Sequence, residues 1–524
     1  MTITAALDSP PAQRQHLLIL SVMRHIAFLS FSLSILAGCA GTLEPVHQMP
    51  EAAATPSKSQ LWTDLESLRS DDWHFLLNDG ASALDWRLRA IDSATQSIDL
   101  QSFLWEFDRV GEAVSSHLLA AAERGVRIRI LIDDSFLYGA DASVAKIDAH
   151  ANIEFRIFNP YKRRSDSVVT REILNLGAFH RLNHRMHNKV MIVDSHVALI
   201  GGRNIADQYF GLHDTANFRD MELVVSGPGV SDLSAGFDQY WNDDWSIPAH
   251  TLIQQRDLDP ALSVTDRPPS AISHIHQEES QQVRTARWLS LAERGIPGKS
   301  RLLLDKPPVN NPANRAEAPV QLGLEINALM DSAEEDIWII SAYLIPTAEF
   351  EQTIERVEKR GVNVHILTNS IRSNNHVSAH SAYRKHIRRL LEHGADLYEV
   401  RSDAKDRDIY MQTPLESKSL ALHAKIMIVD QNKVFIGSAN FDPRSLKINT
   451  EMGLIVDSEA LNQQLRQATA PDFLPRNAWH LRLTDAGQIE WISDDRTLKH
   501  QPAQSFMQRI EDWFFAHLPI ENEM

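Results

Sequence analysis

At 524 residues the chain is long enough for two or three domains with full hydrophobic cores. Apolar residues make up 43% and charged residues 23%, the balance of an ordinary soluble globular protein. The formal charge of −17 argues against a polyanion as main partner, because nucleic-acid affinity comes largely from counterion release along a basic face. A local basic pocket within an acidic body is compatible with that charge.

The first element in chain order is "MRHIAFLSFSLSILAGCAG", residues 23–41. Arg24 supplies a short basic region, about a dozen mostly apolar residues follow, and Leu36-Ala37-Gly38-Cys39 ends the run. This is the pattern of a secretory signal, and its last four residues resemble a bacterial lipobox, in which the Cys is lipidated and becomes N-terminal. An uncleaved membrane anchor is the alternative, but the apolar run is short for a span. Cys39 is the only cysteine, so no intrachain disulfide and no multi-Cys metal site can form. The lipoprotein reading makes residues 1–38 a signal peptide, with Met23 a candidate start. It places the mature chain on the bacterial cell envelope, periplasm-facing, and Ala40 rather than Asp after the Cys favours the outer membrane. Residues 39–60 are rich in Pro, Ala and Ser without periodicity and read as a flexible tether.

Beyond the tether the chain repeats itself. "AIDSATQSIDLQSFLW" (90–105) parallels "LMDSAEEDIWIISAYL" (329–344), each a helix end followed by an apolar strand. "AAERGVRIRILIDDS" (121–135) parallels "VEKRGVNVHILTNS" (357–370): a helix, a Gly turn and a β-branched strand. Gly125 and Gly361 suit helix C-caps. The expected fold class is therefore α/β, two duplicated units related by a pseudo-two-fold axis, with mostly buried sheets. The expected boundaries are 61–250 and 319–475. Residues 251–318, with their prolines and polar runs, read as a linker or surface excursion in which "RTARWLSLAERG" (284–295) is a candidate short helix, and 476–524 as a C-terminal extension. In that extension Phe506, Ile510, Trp513 and Phe514 recur at helical spacing. A docking helix is favoured there over a membrane-surface helix, because the acidic flank disfavours anionic lipid.

"HNKVMIVD" (187–194) and "HAKIMIVD" (423–430) occupy corresponding places in the two copies, 236 residues apart. His187 and Lys189 at i, i+2 share one face of a strand, as do His423 and Lys425. A Lys opening an apolar run has to find a partner or reach water. Asp194 and Asp430 end the runs, and are expected to brace the following turns rather than touch substrate. Each copy then carries Gly-[Gly/Ser]-x-Asn, ending at Asn204 and, through Ser438, at Asn440. One such match has real false-positive risk; two in register within a duplicated unit do not.

The paired His-x-Lys-x4-Asp motif resembles that of the phospholipase D superfamily, and the resemblance covers about residues 65–475. It implies an active site at the interface of the halves. One imidazole acts as nucleophile at phosphorus and forms a covalent phospho-histidine, while the second serves as acid and base. Lys189, Lys425, Asn204 and Asn440 would hold phosphate oxygens without any cofactor or metal. By the family pattern His187 is the nucleophile and His423 the acid/base. Glu222 in "FRDMELVV" and Glu451 in "KINTEMGLIV" are candidates for fixing the tautomer of a catalytic His, against the alternative of plain strand-end carboxylates.

Stretches such as "RMHNKVMIVDSHVALIGGRNIADQYFG" and "SAHSAYRKHIRRLLEHGADLYEV" are similar to bacterial cardiolipin synthases of the C type. That implies phosphatidyl transfer between lipids, with phosphatidylglycerol as acceptor and phosphatidylethanolamine as a candidate donor. It also points to His380 as a head-group contact, with an ordinary surface His as the alternative. Competing expectations are a hydrolytic phospholipase D, a nuclease (disfavoured by charge), and a non-enzymatic scaffold (disfavoured by two intact motifs). No protein partner is implied.

Overall fold

A computed structural model describes residues 43–253, 272–307 and 322–517. The expected signal peptide and lipidation at Cys39 therefore lie outside the described residues. Strands β1 (Trp73–Leu77), β2 (Ser97–Ser102), β3 (Arg127–Asp133), β4 (Ile153–Phe158) and β5 (Val190–Val193) open the first half. β6 (Val197–Gly201), β7 (Ala216–Arg219), β8 (Glu222–Ser226) and β9 (Ser246–Pro248) complete it. β10 (Ile296–Pro297) and β11 (Lys299–Leu304) join the halves. The second half holds β12 (Asp336–Ser341), β13 (Asn363–Asn369), β14 (Asp396–Val400), β15 (Ser419–Leu422) and β16 (Lys425–Val429). β17 (Lys433–Gly437), β18 (Met452–Asp457), β19 (Ala478–Leu483), β20 (Ile489–Ile492) and β21 (Thr497–Leu498) end it.

The duplication is visible in the strand order. One sheet runs β10-β1-β8-β6-β5-β2-β3-β4-β9, the other β11-β18-β17-β16-β12-β13-β14-β19-β20-β21. In both, three parallel strands (β2, β3, β4; β12, β13, β14) are continued by an antiparallel meander (β5, β6, β8; β16, β17, β18). Gly125 and Gly361 lie at φ +91° and +90°, the left-handed cap that turns each helix into its next strand.

Strand parity explains why the motif strands are apolar throughout. Val190 and Ile192 of β5 face a middle core shared with Ile426 and Ile428 of β16, and helix residues Phe237, Trp241, Leu461 and Leu465 fill it. Met191 and Val193 face the outer core under helices Gly80–Ser93 and Arg109–Glu123, and Met427 and Val429 face its counterpart under Leu322–Asp331 and Ala348–Lys359. Both sheets are thus covered on both faces, which demands hydrophobic side chains at successive positions. The halves are further tied by β7 pairing β15 in parallel, Ser419 opposite Ala216 through Leu422 opposite Arg219.

Three expected segments are more integrated than their composition suggested. The described part of the tether lies against the first half: Val46 N donates to Asp244 O at 2.9 Å, Ala53 N to Asp238 Oδ2 at 2.7 Å and Ser57 N to Asp194 O at 3.1 Å. Within the expected linker, helix Gln281–Glu293 buries Trp288 edge-on to Trp62 and Trp86. β10 then closes the first sheet, and β11 pairs with β18 in the second. The C-terminal extension supplies β19–β21 to the second sheet. Among the described residues no helix is long and apolar enough to cross a membrane.

Candidate active site

Both motif strands begin beside the carboxyl ends of parallel strands, where open α/β sheets place ligands. Val190 pairs with Gln101 near the end of β2, and Lys425 with Ser341, the last residue of β12. The histidines are fixed crosswise. His187 N donates to Thr450 O at 2.8 Å, and His187 Nδ1 meets Oε2 of the next residue, Glu451, at 2.9 Å. In the mirror arrangement His423 N donates to Arg219 O at 2.8 Å, and its Nδ1 meets Oδ2 of the next residue, Asp220, at 2.6 Å. Each imidazole is therefore oriented by a carboxylate from the opposite half. A carboxylate that accepts a hydrogen bond from Nδ1–H keeps the ring proton on Nδ1 and leaves Nε2 as the free, lone-pair-bearing nitrogen.

The side chains around the rings complete the cleft. Phe103 stands edge-on to His187 at 4.7 Å, and Tyr209 edge-on to His423 at 4.9 Å. Lys189 Nζ donates to His187 O at 2.6 Å, and Lys425 Nζ donates to His423 O. Asn204 Nδ2 donates to the Tyr209 hydroxyl at 2.8 Å, while the buried carbonyl oxygens of Asn204 and Asn440 have no partner. Ser438 Oγ donates to Glu451 Oε2, fixing that carboxylate.

Burial dominates the electrostatics. It pushes His187 down to about 4 and His423 to about 3, although Glu451 and Asp220 pull the other way, so both rings are neutral at pH 7. Lys189 is lowered to about 7 and Lys425 to about 8, again chiefly by burial. For Glu451 and Asp220 burial favours the neutral acid, but the paired imidazoles and the neighbouring lysines outweigh it and hold both carboxyls below their usual range. Lys425 acts on His187 and Lys189 acts on His423, so the two motifs occupy one electrostatic site.

Asp194 and Asp430 lie at the other end of these strands. Both stand at positive φ, +53° and +47°. Asp194 accepts from the backbone of Thr95, Gln96 and Ser97 and from Trp62 Nε1, and Asp430 from the backbone of Glu334, Glu335 and Asp336. They tie each motif strand to the start of β2 or β12, far from the imidazoles.

Two expected residues stand elsewhere. Glu222 does not reach a histidine; its buried carboxylate pairs with Arg87 at 2.6 Å. Asp220, two residues earlier, has the orienting place. Gly201 pairs with Glu222 and Gly437 with Gly453, so Glu222 corresponds to Gly453 and Asp220 to Glu451. The signal was present as "DMEL" against "EMGL", but the loops before these strands differ in length and shift the register. His380 is fully buried in helix Val377–Tyr383, edge-on to Tyr383 and beneath the C-terminal helix, with no hydrogen-bond partner at either ring nitrogen among the described residues, so it is not the ordinary surface His of the alternative reading.

Near the start of β2, at the opposite end of that strand from the cleft, Asp92, His117 and His276 bring ligand atoms within 4.8 Å of one another. Their spacing is accounted for by hydrogen bonding. His276 sits between Asp85 at 2.8 Å and Asp92 at 3.1 Å, and these carboxylates outweigh its burial and raise it to about 9.

Comparison with known proteins agrees with the geometry. The family profile described as "Cardiolipin synthase, PLD-like domain" matches residues 88–245 and 326–471, one match in each half. Cardiolipin synthase C of Escherichia coli (strain K12) is 35% identical over 85% of this chain and 95% of its own length. Cardiolipin synthase B of Shigella flexneri is 24% identical over 85% of this chain and 90% of its own. The solved phosphatidylserine synthase of Haemophilus influenzae Rd KW20 shares the fold, with a TM-score of 0.52 at 14% identity over 87% of this chain and 97% of that one. The chain belongs to the cardiolipin synthase family of phospholipase D-like proteins.

Proposed function

We propose that this protein is a phosphatidyltransferase that joins two phospholipids through a phosphatidyl-histidine. The observation that carries the reading is the crosswise fixing of His187 by Glu451 and of His423 by Asp220. With carboxylates on both Nδ1 atoms, one imidazole stays neutral for attack while the other takes up a proton from solvent at Nε2 when the anionic substrate binds, so that the pair serves one in-line displacement at phosphorus. His187 Nε2 attacks phosphorus and the bond to the donor's head-group oxygen breaks. His423 gives a proton to that leaving oxygen. The acceptor hydroxyl then loses its proton to His423 and attacks phosphorus, releasing His187. The Lys189 and Lys425 ammoniums sit where charge builds on the non-bridging oxygens. An anionic phosphodiester between them also raises the proton affinity of His423, so the acid becomes available when substrate is bound.

Phosphatidylglycerol is the proposed acceptor, and phosphatidylethanolamine or a second phosphatidylglycerol the donor, as the resemblance of the motif stretches to C-type cardiolipin synthases implies. Lipid product analysis with phosphatidylglycerol alone and with phosphatidylethanolamine tests this: cardiolipin is expected, and phosphatidic acid as the dominant product would make the protein a hydrolase. A phosphatidyl-enzyme should accumulate in His423→Ala and be absent in His187→Ala; the reverse would exchange their roles. The "LAGC" run supports lipid tethering at Cys39 to the envelope, with the outer membrane favoured. Loss of radiolabelled palmitate incorporation in Cys39→Ser tests that tether.

A further inference from the structure

The C-terminal helix Phe506–Ala516 is amphipathic the wrong way round for a docked helix. Two of its polar side chains, Gln508 and Asp512, face the protein. Asp512 is 1% exposed, accepts from Ser381 Oγ at 2.9 Å and pairs with Arg384, and Gln508 Nε2 donates to Ile371 O at 2.8 Å. Its apolar side chains face outward, with Met507 61%, Ile510 42%, Trp513 57% and Phe514 54% exposed. The expected docking helix does dock, but through Gln508 and Asp512, one turn apart.

Beside this apolar ridge lies a cavity of about 720 Å³. Arg384, Arg388, Lys499 and Arg509 line it with one carboxylate, Asp512, which Arg384 already neutralises. Among the described residues the ammonium of Lys499 and the guanidinium of Arg509 have no hydrogen-bond or ion-pair partner, and both side chains are exposed. Glu511 is the one exposed carboxylate on the helix. In a chain of net charge −17 this is a local reversal of sign.

We propose that this face seats on the surface of an anionic phospholipid bilayer. Met507, Ile510, Trp513 and Phe514 enter the acyl boundary, while Lys499 and Arg509 meet head-group phosphates; Arg388 is already held by Glu392 and the Gly487 carbonyl. Charge complementarity calls for an anionic surface, and the exposed Trp513 and Phe514 beside the cations select a lipid one: an acidic protein patch would satisfy the cations but offers no apolar phase for an inserted Trp and Phe. Interfacial helices combine an apolar ridge with flanking cations in this way, and each cation near an anionic surface adds to binding. The inference rests on the phospholipid reading for the choice of surface, but docking is measured without turnover.

The test is cosedimentation of the full chain with vesicles of phosphatidylcholine alone and of phosphatidylcholine with phosphatidylglycerol. Two variants are compared in the same chain: Ile510→Ser/Trp513→Ser/Phe514→Ser, and Lys499→Glu/Arg509→Glu. Wild type should prefer the anionic vesicles at least tenfold. The first variant should lose at least tenfold on both vesicles, and the second only the anionic preference, with unchanged melting temperatures. Turnover of a short-chain, monomeric phosphatidylglycerol should stay within twofold in both. Equal binding by wild type and variants, or a wild-type dimer that the first variant dissociates, overturns the proposal. Loss of short-chain turnover already in wild type would count against the transferase and leave the docking result standing.

Discussion

The pair Asp220 and Glu222 separates an orienting carboxylate from a structural one two residues away. In Asp220→Asn the amide keeps the acceptor for Met221 N, now 2.8 Å from Asp220 Oδ1, but cannot offer a charged acceptor to His423 Nδ1 at 2.6 Å. A buried hydrogen bond to a charged group is worth about 1.5–3 kcal/mol, which converts to a rate loss of about 10- to 150-fold. If the amide also turns the ring to the tautomer that protonates Nε2, the loss grows toward ~10⁴, the penalty for the wrong tautomer in hydrolytic triads. Glu222→Gln should instead leave turnover within about threefold while lowering the melting temperature, because it weakens the buried pair with Arg87 at 2.6 Å. The assay is kcat for phosphatidyl transfer in mixed micelles, with thermal melts alongside. An Asp220→Asn enzyme that keeps more than a third of wild-type kcat, or a Glu222→Gln enzyme slower than it, would refute the crosswise assignment.

Glu451→Gln should cost at least tenfold in formation of the phosphatidyl-enzyme, read by single-turnover quench, with a smaller effect on its breakdown. With Lys189 at about 7 and Lys425 at about 8, both lysines are protonated below these values and lose charge above them. Affinity for a permanently monoanionic phosphodiester inhibitor should therefore fall as pH rises from 7 to 9, and Lys425→Met should remove the upper part of that dependence. His276 is raised to about 9, so its contribution to stability is complete below pH 6.5 and is lost as pH rises through 9. The melting-temperature difference between wild type and His276→Leu should accordingly shrink between pH 6.5 and 9.5. Trp288→Ala, which empties a fully buried site, should destabilise by about 3–5 kcal/mol in denaturant titration.

Much of this was legible in the sequence, for a physical reason. A Lys two residues after a His, opening a strand buried on both faces, is costly anywhere except a site that needs it. Two such runs in register also supported the duplication, while the strand order came only from the structure. Asp220 escaped because the copies are not equally spaced: the segment between Asn204 and β8 is longer than that between Asn440 and β18, so a fixed offset does not bring Asp220 onto Glu451. His380 and the C-terminal helix escaped together. Spacing shows which residues share a helix face but not which face meets the protein, and Asp512 with Arg384 reversed the usual choice. The tether and linker misled because Pro-rich, polar composition hides single anchors such as Trp288.

The crosswise carboxylates also bear on how the protein is made. His187 waits for Glu451, 264 positions later, and Asp220 for His423, 203 later. At ~5–20 residues per second, roughly 10–50 s of synthesis separate each group from its counterpart. During that interval the nascent first half carries a carboxylate and an imidazole cut off from their counter-groups, so the catalytic centre is among the last parts of the molecule to acquire its native chemistry.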